Sequence, residues 1–278
     1  MPDDPPFFIS SPQNPRIKQL IKLRDRSERE ESGLFLIEGY RELLRAADAN
    51  HPLQTLFICP KLFLGENEQN LISRIKERGA QVWTCSETIF RKISYRDRPD
   101  GLLGIALQKH SNLLDLGKHL QNVPSPFLVV AEAIEKPGNL GTILRSSDAV
   151  GIDALIVCDR CTDIHNPNVV RASVGTLFTV PVIEADGEET LQWLKQHHIA
   201  VVAATPSASC EFTDVDLTGP VAIAVGTEQL GLSERWMKQA DIQVRIPMRG
   251  VADSLNVAMA TTLLLYETLR QRSTKRVS

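Results

Sequence analysis

From residue 127 onward the sequence places short, almost unbroken apolar runs at regular intervals. Residues 127–131, 154–158, 200–204 and 221–225 read Phe-Leu-Val-Val-Ala, Ala-Leu-Ile-Val-Cys, Ala-Val-Val-Ala-Ala and Val-Ala-Ile-Ala-Val. A strand with one wet face alternates apolar and polar side chains. These runs do not alternate, so both of their faces are expected to be buried, as in a parallel sheet covered by helices. Between them lie stretches of helical periodicity at 139–151, 166–176, 188–197 and 233–240. Further strands are expected at 178–184 and 242–248, and a long closing helix at 254–272. Alternation of this kind marks an α/β domain with a mostly parallel sheet, here assigned to residues 126–278.

The first hundred residues carry a second, smaller pattern. Residues 1–12 contain four prolines and are expected to form a disordered tail. Residues 13–109 alternate strands (34–37, 54–59, 81–85, 102–107) with helices (39–49, 68–79), which makes a small α/β module preceding the larger one. Residues 110–125 lack strand signals and end between Pro124 and Pro126, so a linker is expected there, with a short helix over 113–120 as the alternative for part of it. At the start of the module Ile17, Leu20, Ile21 and Leu23 recur at helical spacing among Arg16, Lys18, Lys22 and Arg24. On charge alone this is an ordinary solvated helix face. A second basic set, Arg91, Lys92, Arg96 and Arg98, surrounds Tyr95, cations about a ring that suit clamping or stacking.

Composition narrows the function classes. Hydrophobic residues are 42% and charged residues 23%, as in ordinary soluble domains, and the net charge of −3 excludes a uniformly basic surface while leaving room for a local basic patch. No apolar run approaches the roughly 18 residues of a membrane span. The acidic, proline-rich start is unlike a signal peptide. Five scattered cysteines fit reduced thiols, so a cytoplasmic location is expected. Cys158 and Cys161 form a lone C-x-x-C that His165 does not complete into a tetrahedral set, and no metal is expected.

Three segments place polar residues where buried strands end. In the first, Pro137-Gly138 turns the chain and Asn139 opens a helix that carries Arg145 six residues on. Asn139 could be a helix cap and Arg145 a surface charge. The loop is neither a Walker sequence nor a dinucleotide fingerprint. In the second, the run 221–225 delivers Gly226 and Glu228 at its carboxyl end, where ligands of open α/β sheets sit; Ser233 is the expected cap of the next helix. In the third, Ile246, Pro247 and Met248 end a strand, and a helix opens with Ser254, Leu255 and Asn256. Ser254 is the expected cap. Asn256 is a poor helix residue, and its amide invites another use.

These three segments resemble the signature motifs of the SpoU (TrmH-type) family of RNA 2′-O-ribose methyltransferases. Residues 14–18 and 35–39 resemble that family's L30e-like substrate-binding domain. Ala258 departs from the family, which often has Ser there. The resemblance implies a trefoil-knotted C-terminal domain, a homodimer, S-adenosylmethionine as methyl donor and structured RNA as substrate, ribosomal RNA ahead of transfer RNA. By motif position it implies catalytic roles for Asn139, Arg145, Glu228, Ser254 and Asn256. It implies cofactor contacts from Gly226, Ile246 and Leu255, with Met248 and Thr205 lining the same pocket. Beside it, RNA phosphate contact becomes the better reading of Arg16, Lys18, Lys22, Arg24 and Arg171. A guanidinium, with a pKa above about 12, is a poor proton acceptor, so Arg145 is expected to hold RNA phosphate and stabilise oxyanion charge, with Asn139 and Glu228 orienting it or the ribose. A non-catalytic RNA-binding protein is the competing reading; the presence of all five polar motif residues weighs against it.

Overall fold

The computed structural model describes residues 7–159 and 162–275, which form two compact units. The first contains the described residues up to Lys109 together with Asp163–Thr179; the second contains His110–Thr162 and the described residues from Val180 onward.

The first unit runs β1 (Phe8–Ile9), α1 (Pro15–Lys22), α2 (Arg26–Ser32), β2 (Leu34–Glu38), α3 (Tyr40–Asp48), β3 (Leu53–Ile58), α4 (Glu68–Glu77), β4 (Gln81–Cys85), α5 (Glu87–Ile93) and β5 (Leu102–Leu107). Its mixed sheet has the order β1-β4-β3-β5-β2. Every residue of β2 is buried because both faces are covered: Leu34 and Leu36 join a cluster with α1 and α5, while Phe35 and Ile37 join one with α3 and α4. The expected disordered tail over 1–12 is corrected at its end. Phe8–Ile9 pairs in parallel with Thr84–Cys85, and Ile9 is only 1% exposed. The prolines before them mask an apolar pair long enough to add a sheet edge. Residues 1–6 lie outside the described residues.

The second unit begins with α6 (Leu113–His119), in the stretch expected to be a linker. Asn112 and Asp115 form a capping box at its start, and Leu116 is fully buried against the sheet. Then come β6 (Phe127–Glu132), α7 (Pro137–Val150) and β7 (Ala154–Cys158). The next helix, α8 (Pro167–Ser173), belongs to the first unit, where Val170 packs among Phe35, Leu43 and Ala106. Asp163, just before it, accepts from the fully buried Arg29 at 2.8 Å, and Arg29 also donates to the carbonyls of Leu23 and Arg24.

The second unit resumes with β8 (Val182–Ala185), α9 (Gly187–Gln196), β9 (Ala200–Ala204), β10 (Cys210–Glu211), β11 (Val221–Val225), α10 (Glu234–Gln239), β12 (Ile242–Arg245) and α11 (Val257–Lys275). Its sheet has the order β10-β12-β9-β11-β6-β7-β8, and every neighbouring pair is parallel. The expectation of a mostly parallel α/β sheet holds. Two boundaries move. The strand expected over 242–248 stops at Arg245, since Pro247 has no N–H to give a ladder. The closing helix starts at Val257 rather than at 254.

Candidate functional site

Strands β12, β9 and β11 lie side by side, so the residues that follow them converge at one edge of the sheet. There a cavity of about 400 Å³ is lined by Thr205 after β9, Gly226 after β11, Ile246 and Met248 after β12, and Leu255 before α11. All five residues expected to touch a cofactor thus share one cavity. Glu228 and Ser254 line it as well, and Asp253 adds a second carboxylate. The arrangement follows from chain direction: parallel strands present all their carboxyl ends on one side.

Gly226 is glycine because backbone approaches it closely. A β-carbon there would collide with the backbone of Gly231 and Leu232. The loop after β11 folds back on itself, with Thr227 and Gly231 exchanging two backbone hydrogen bonds at 3.0 and 3.1 Å, and Gly226 makes room for that return. The loop is anchored by Glu132, a carboxylate only 4% exposed at the end of β6. It accepts from the Ser233 N–H at 2.8 Å and the Ser233 hydroxyl at 2.6 Å. Ser233 stands at the start of α10 as expected, but its hydroxyl serves Glu132 instead of capping the helix. Sequence reasoning missed Glu132. The signal was there: a carboxylate ending an apolar strand must find buried donors.

A directional chain of hydrogen bonds joins three of the motif residues. Asn256 donates through Nδ2 to Asn139 Oδ1 at 3.1 Å, and Asn139 donates through Nδ2 to Glu228 Oε1 at 2.7 Å. Glu228 also accepts the backbone N–H groups of Lys136 at 3.2 Å and Glu135 at 3.3 Å. Its carboxylate therefore sits at the N-terminus of α7, where unpaired N–H groups and the helix dipole favour negative charge. Burial pushes the Glu228 carboxyl up, but the bonds from Asn139 and these backbone N–H groups outweigh it and hold the carboxyl below its usual range.

The caps differ from expectation. Lys136 is the cap position of α7, and Asn139 lies inside the first turn with its amide free for Glu228. Asn256 caps α11: its Oδ1 accepts from the Ala258 N–H at 3.0 Å, and its carbonyl accepts from Ala260. Ser254 stands outside the helix, exposed in the cavity wall.

Arg145 does not join this chain. It is exposed on α7 and makes no hydrogen bond or ion pair with a described residue. Of the two roles expected for Asn139 and Glu228, orienting Arg145 is corrected, and orienting the ribose is left. Six residues along a helix turn a side chain about 120° away and carry it about 9 Å further. Asn139 and Glu228 instead satisfy each other.

The basic candidates of the first unit separate into two kinds. Arg24 donates to the carbonyls of Lys92, Ile93 and Ser94 at 2.9–3.3 Å and lies 4.7 Å from the Tyr95 ring, so it caps α5. Arg96 is likewise committed, to Glu42 at 2.6 Å and Asp100 at 3.6 Å. Lys22 pairs with Glu28 at 3.4 Å, and Arg91 with Glu87 at 2.9 Å. Lys18, Lys92, Arg98 and Arg171 are exposed and have no charged partner among the described residues. Arg16 stacks on Trp83, 4.1 Å from the ring centre.

Cys161 lies outside the described residues. Cys158 is buried, its thiol donates to Thr190 at 3.3 Å, and burial pushes it up to about 12. Among the described residues no group of three potential ligands could hold a metal, and no helix is long and apolar enough to cross a membrane.

Residues 126–266 match the SpoU rRNA Methylase family. The chain belongs to the SpoU rRNA methylase family. Residues 14–104 of this SpoU protein match a second model, the MRM3-like substrate binding domain. Among curated relatives, the 23S rRNA (uridine(2479)-2′-O)-methyltransferase of Streptomyces viridochromogenes is 30% identical over 92% of this chain and 89% of its own. The 23S rRNA (guanosine(2553)-2′-O)-methyltransferase RlmP of Bacillus subtilis is 26% identical over 93% and 97%. Among solved structures, the AdoMet-bound rRNA methyltransferase of Sinorhizobium meliloti superimposes with a TM-score of 0.85 at 31% identity, covering 95% of this chain and 97% of that one.

Proposed function

We propose that this SpoU protein transfers a methyl group from S-adenosylmethionine to a ribose 2′-hydroxyl of ribosomal RNA. The observation that carries the reading is the convergence of all five expected cofactor contacts on one cavity, beside the Asn256–Asn139–Glu228 chain. The cavity suits the donor: about 400 Å³ lies within the roughly 300–1,000 Å³ of small-ligand pockets. Ile246, Met248 and Leu255 offer apolar surface to an adenine ring, and Glu228 and Asp253 offer negative charge to a cationic amino-acid end. When bound, the donor supplies an electrophilic methyl on a sulfonium.

The residues of this chain do the rest. Glu228 is held ionised by three donors, so it is an anchor and not a proton acceptor. It fixes the amide of Asn139, which fixes that of Asn256, and together with Ser254 they shape the wall on the nucleotide side. Arg145, unengaged by the protein, holds an RNA phosphate and stabilises charge growing on the 2′-oxygen. The first unit recognises the RNA through Arg16 and Lys18 and through Arg171 on α8, while the second unit performs the transfer along the knotted path that the family resemblance implies. Lys22 and Arg24 support that surface from within their intramolecular bonds. The protein acts as a homodimer in the cytoplasm. Met259, Leu263 and Tyr266, at helical spacing on α11, are 65%, 43% and 50% exposed and suit a second copy, and the four described cysteines are free thiols, which fits a reducing compartment.

The deciding experiment incubates purified protein and methyl-labelled S-adenosylmethionine with ribosomal RNA and with transfer RNA. Label at one ribosomal nucleotide that resists alkaline cleavage is expected, because a methylated 2′-oxygen cannot attack the adjacent phosphate. Label on a base, or on transfer RNA alone, would overturn the assignment.

A further inference from the structure

A second cavity lies wholly within the first unit, beside the start of α3. It measures about 650 Å³, and its lining includes Tyr40, Arg41, Leu64, Arg96, Asp100 and Arg171. Nothing in the methyl-transfer site uses it.

Its rim is cationic and unengaged. Arg41 and Arg171 are exposed and have no hydrogen bond or ion pair with a described residue, and Leu64 between them in chemistry is 80% exposed. Its wall holds polar groups with unfilled capacity. Asp100 is only 7% exposed; its Oδ2 accepts from the Tyr40 N–H at 2.8 Å and faces Arg96 Nη1 at 3.6 Å. Its Oδ1 has no hydrogen-bond partner among the described residues, nor has Arg96 Nε. A buried acceptor left unfilled favours the arrival of a donor, and both Asp100 and Arg96 line the cavity. Gly39, at φ +113°, is shaped to the same end, because a β-carbon there would collide with the Arg96 guanidinium.

Two unengaged cations ask for an anion. An unfilled acceptor and donor beneath them ask for a polar edge that offers both, and Tyr40 and Leu64 offer apolar surface to a flat ring. Inorganic phosphate would meet only the first demand. A nucleotide meets all three, since each base carries an N–H donor beside an acceptor, and unpaired bases are what RNA-binding surfaces read. We propose that this cavity receives one unpaired nucleotide of the RNA, with its phosphate at Arg41 and Arg171 and its base edge at Asp100 and Arg96. That the nucleic acid is RNA rests on the function proposed above.

The test uses the full chain and fluorescence anisotropy with 12-nucleotide single strands of A, C or U and a mixed-sequence RNA duplex. Wild type should prefer the single strands. Arg41→Ala and Arg171→Ala should each weaken single-strand binding about tenfold and reduce the slope of log affinity against log salt by about 1. Asp100→Ala should change the ranking of A, C and U strands and leave the slope alone. Should Asp100→Ala fail to fold, the two arginine variants decide, because both side chains are exposed. Three outcomes would overturn the proposal: arginine variants that bind like wild type, equal affinity for the duplex, or inorganic phosphate competing as well as uridine monophosphate. S-adenosylmethionine binding is measured in parallel. If that alone is absent, the methyltransferase reading fails and the nucleotide site stands.

Discussion

Asn256 and Asn139 are 117 positions apart in sequence, and a single hydrogen bond of 3.1 Å ties the first turn of α11 to the first turn of α7. The bond has a sense. Asn139 gives one N–H to Glu228 and turns its carbonyl toward Asn256, from which it accepts. Asn256→Asp keeps the oxygen that caps Ala258 but sets an acceptor against that carbonyl. Thermal stability should stay near wild type while methyl transfer falls about tenfold or more. Asn256→Ala should lose both, with about 1 kcal/mol of stability gone with the cap. Calorimetric unfolding alongside initial rates separates the two effects; equal stability loss in both variants would sink the distinction.

Arg145 carries the opposite signature, a charge bonded to none of the described residues. Arg145→Ala should therefore leave the melting temperature and S-adenosylmethionine affinity unchanged and lower turnover by on the order of 10²-fold. Arg145→Lys should recover only part, because an ammonium cannot reproduce a planar fork. Full turnover by Arg145→Ala would return the residue to the solvated surface.

The depressed Glu228 carboxyl sets a pH window. A carboxylate favoured in the folded protein contributes above its ordinary value near 4.5, and the contribution disappears as pH falls through the lower folded value. Calorimetric cofactor affinity should stay level from neutral pH down to that ordinary value and drop only below it. Glu228→Gln should abolish the drop. A fall already complete above pH 4.5 would contradict an ionised, anchored Glu228.

Lys18 and Arg24 lie on the same basic helix stretch but should behave differently. Lys18→Glu should weaken RNA binding and flatten its salt dependence with no change in stability. Arg24→Ala removes the donor to three carbonyls at the end of α5 and should cost roughly 1–3 kcal/mol, in unfolding experiments without RNA. Equal stability of the two variants would remove the cap.

Much of this was legible in the residues. The sheet core was visible because strands buried on both faces cannot alternate, and the five cofactor candidates were visible because polar and small residues followed those strands. What stayed hidden were matters of partner choice. Sequence shows that Arg24, Arg96 and Arg171 are basic, but only the fold brings carbonyls to the first and acids to the second. It shows Gly226 as permissive, but not that the occupant of the space is its own loop. The strand Phe8–Ile9 was hidden by its length, since two residues carry no period.

The assignment of α8 to the first unit bears on how the protein is made. Val170 completes a cluster begun by Phe35, and Asp163 neutralises the buried Arg29. Neither partner exists when the ribosome has finished residue 109; both have arrived only by residue 170, a further 61 residues. At roughly 5–20 residues per second, that is about 3–12 s during which the nascent amino-terminal unit holds an uncompensated arginine and an open apolar face. Its folding cannot be finished in order of synthesis. For the same reason a single recombination point in the gene cannot exchange one unit for that of a relative, since the amino-terminal unit is encoded in two pieces.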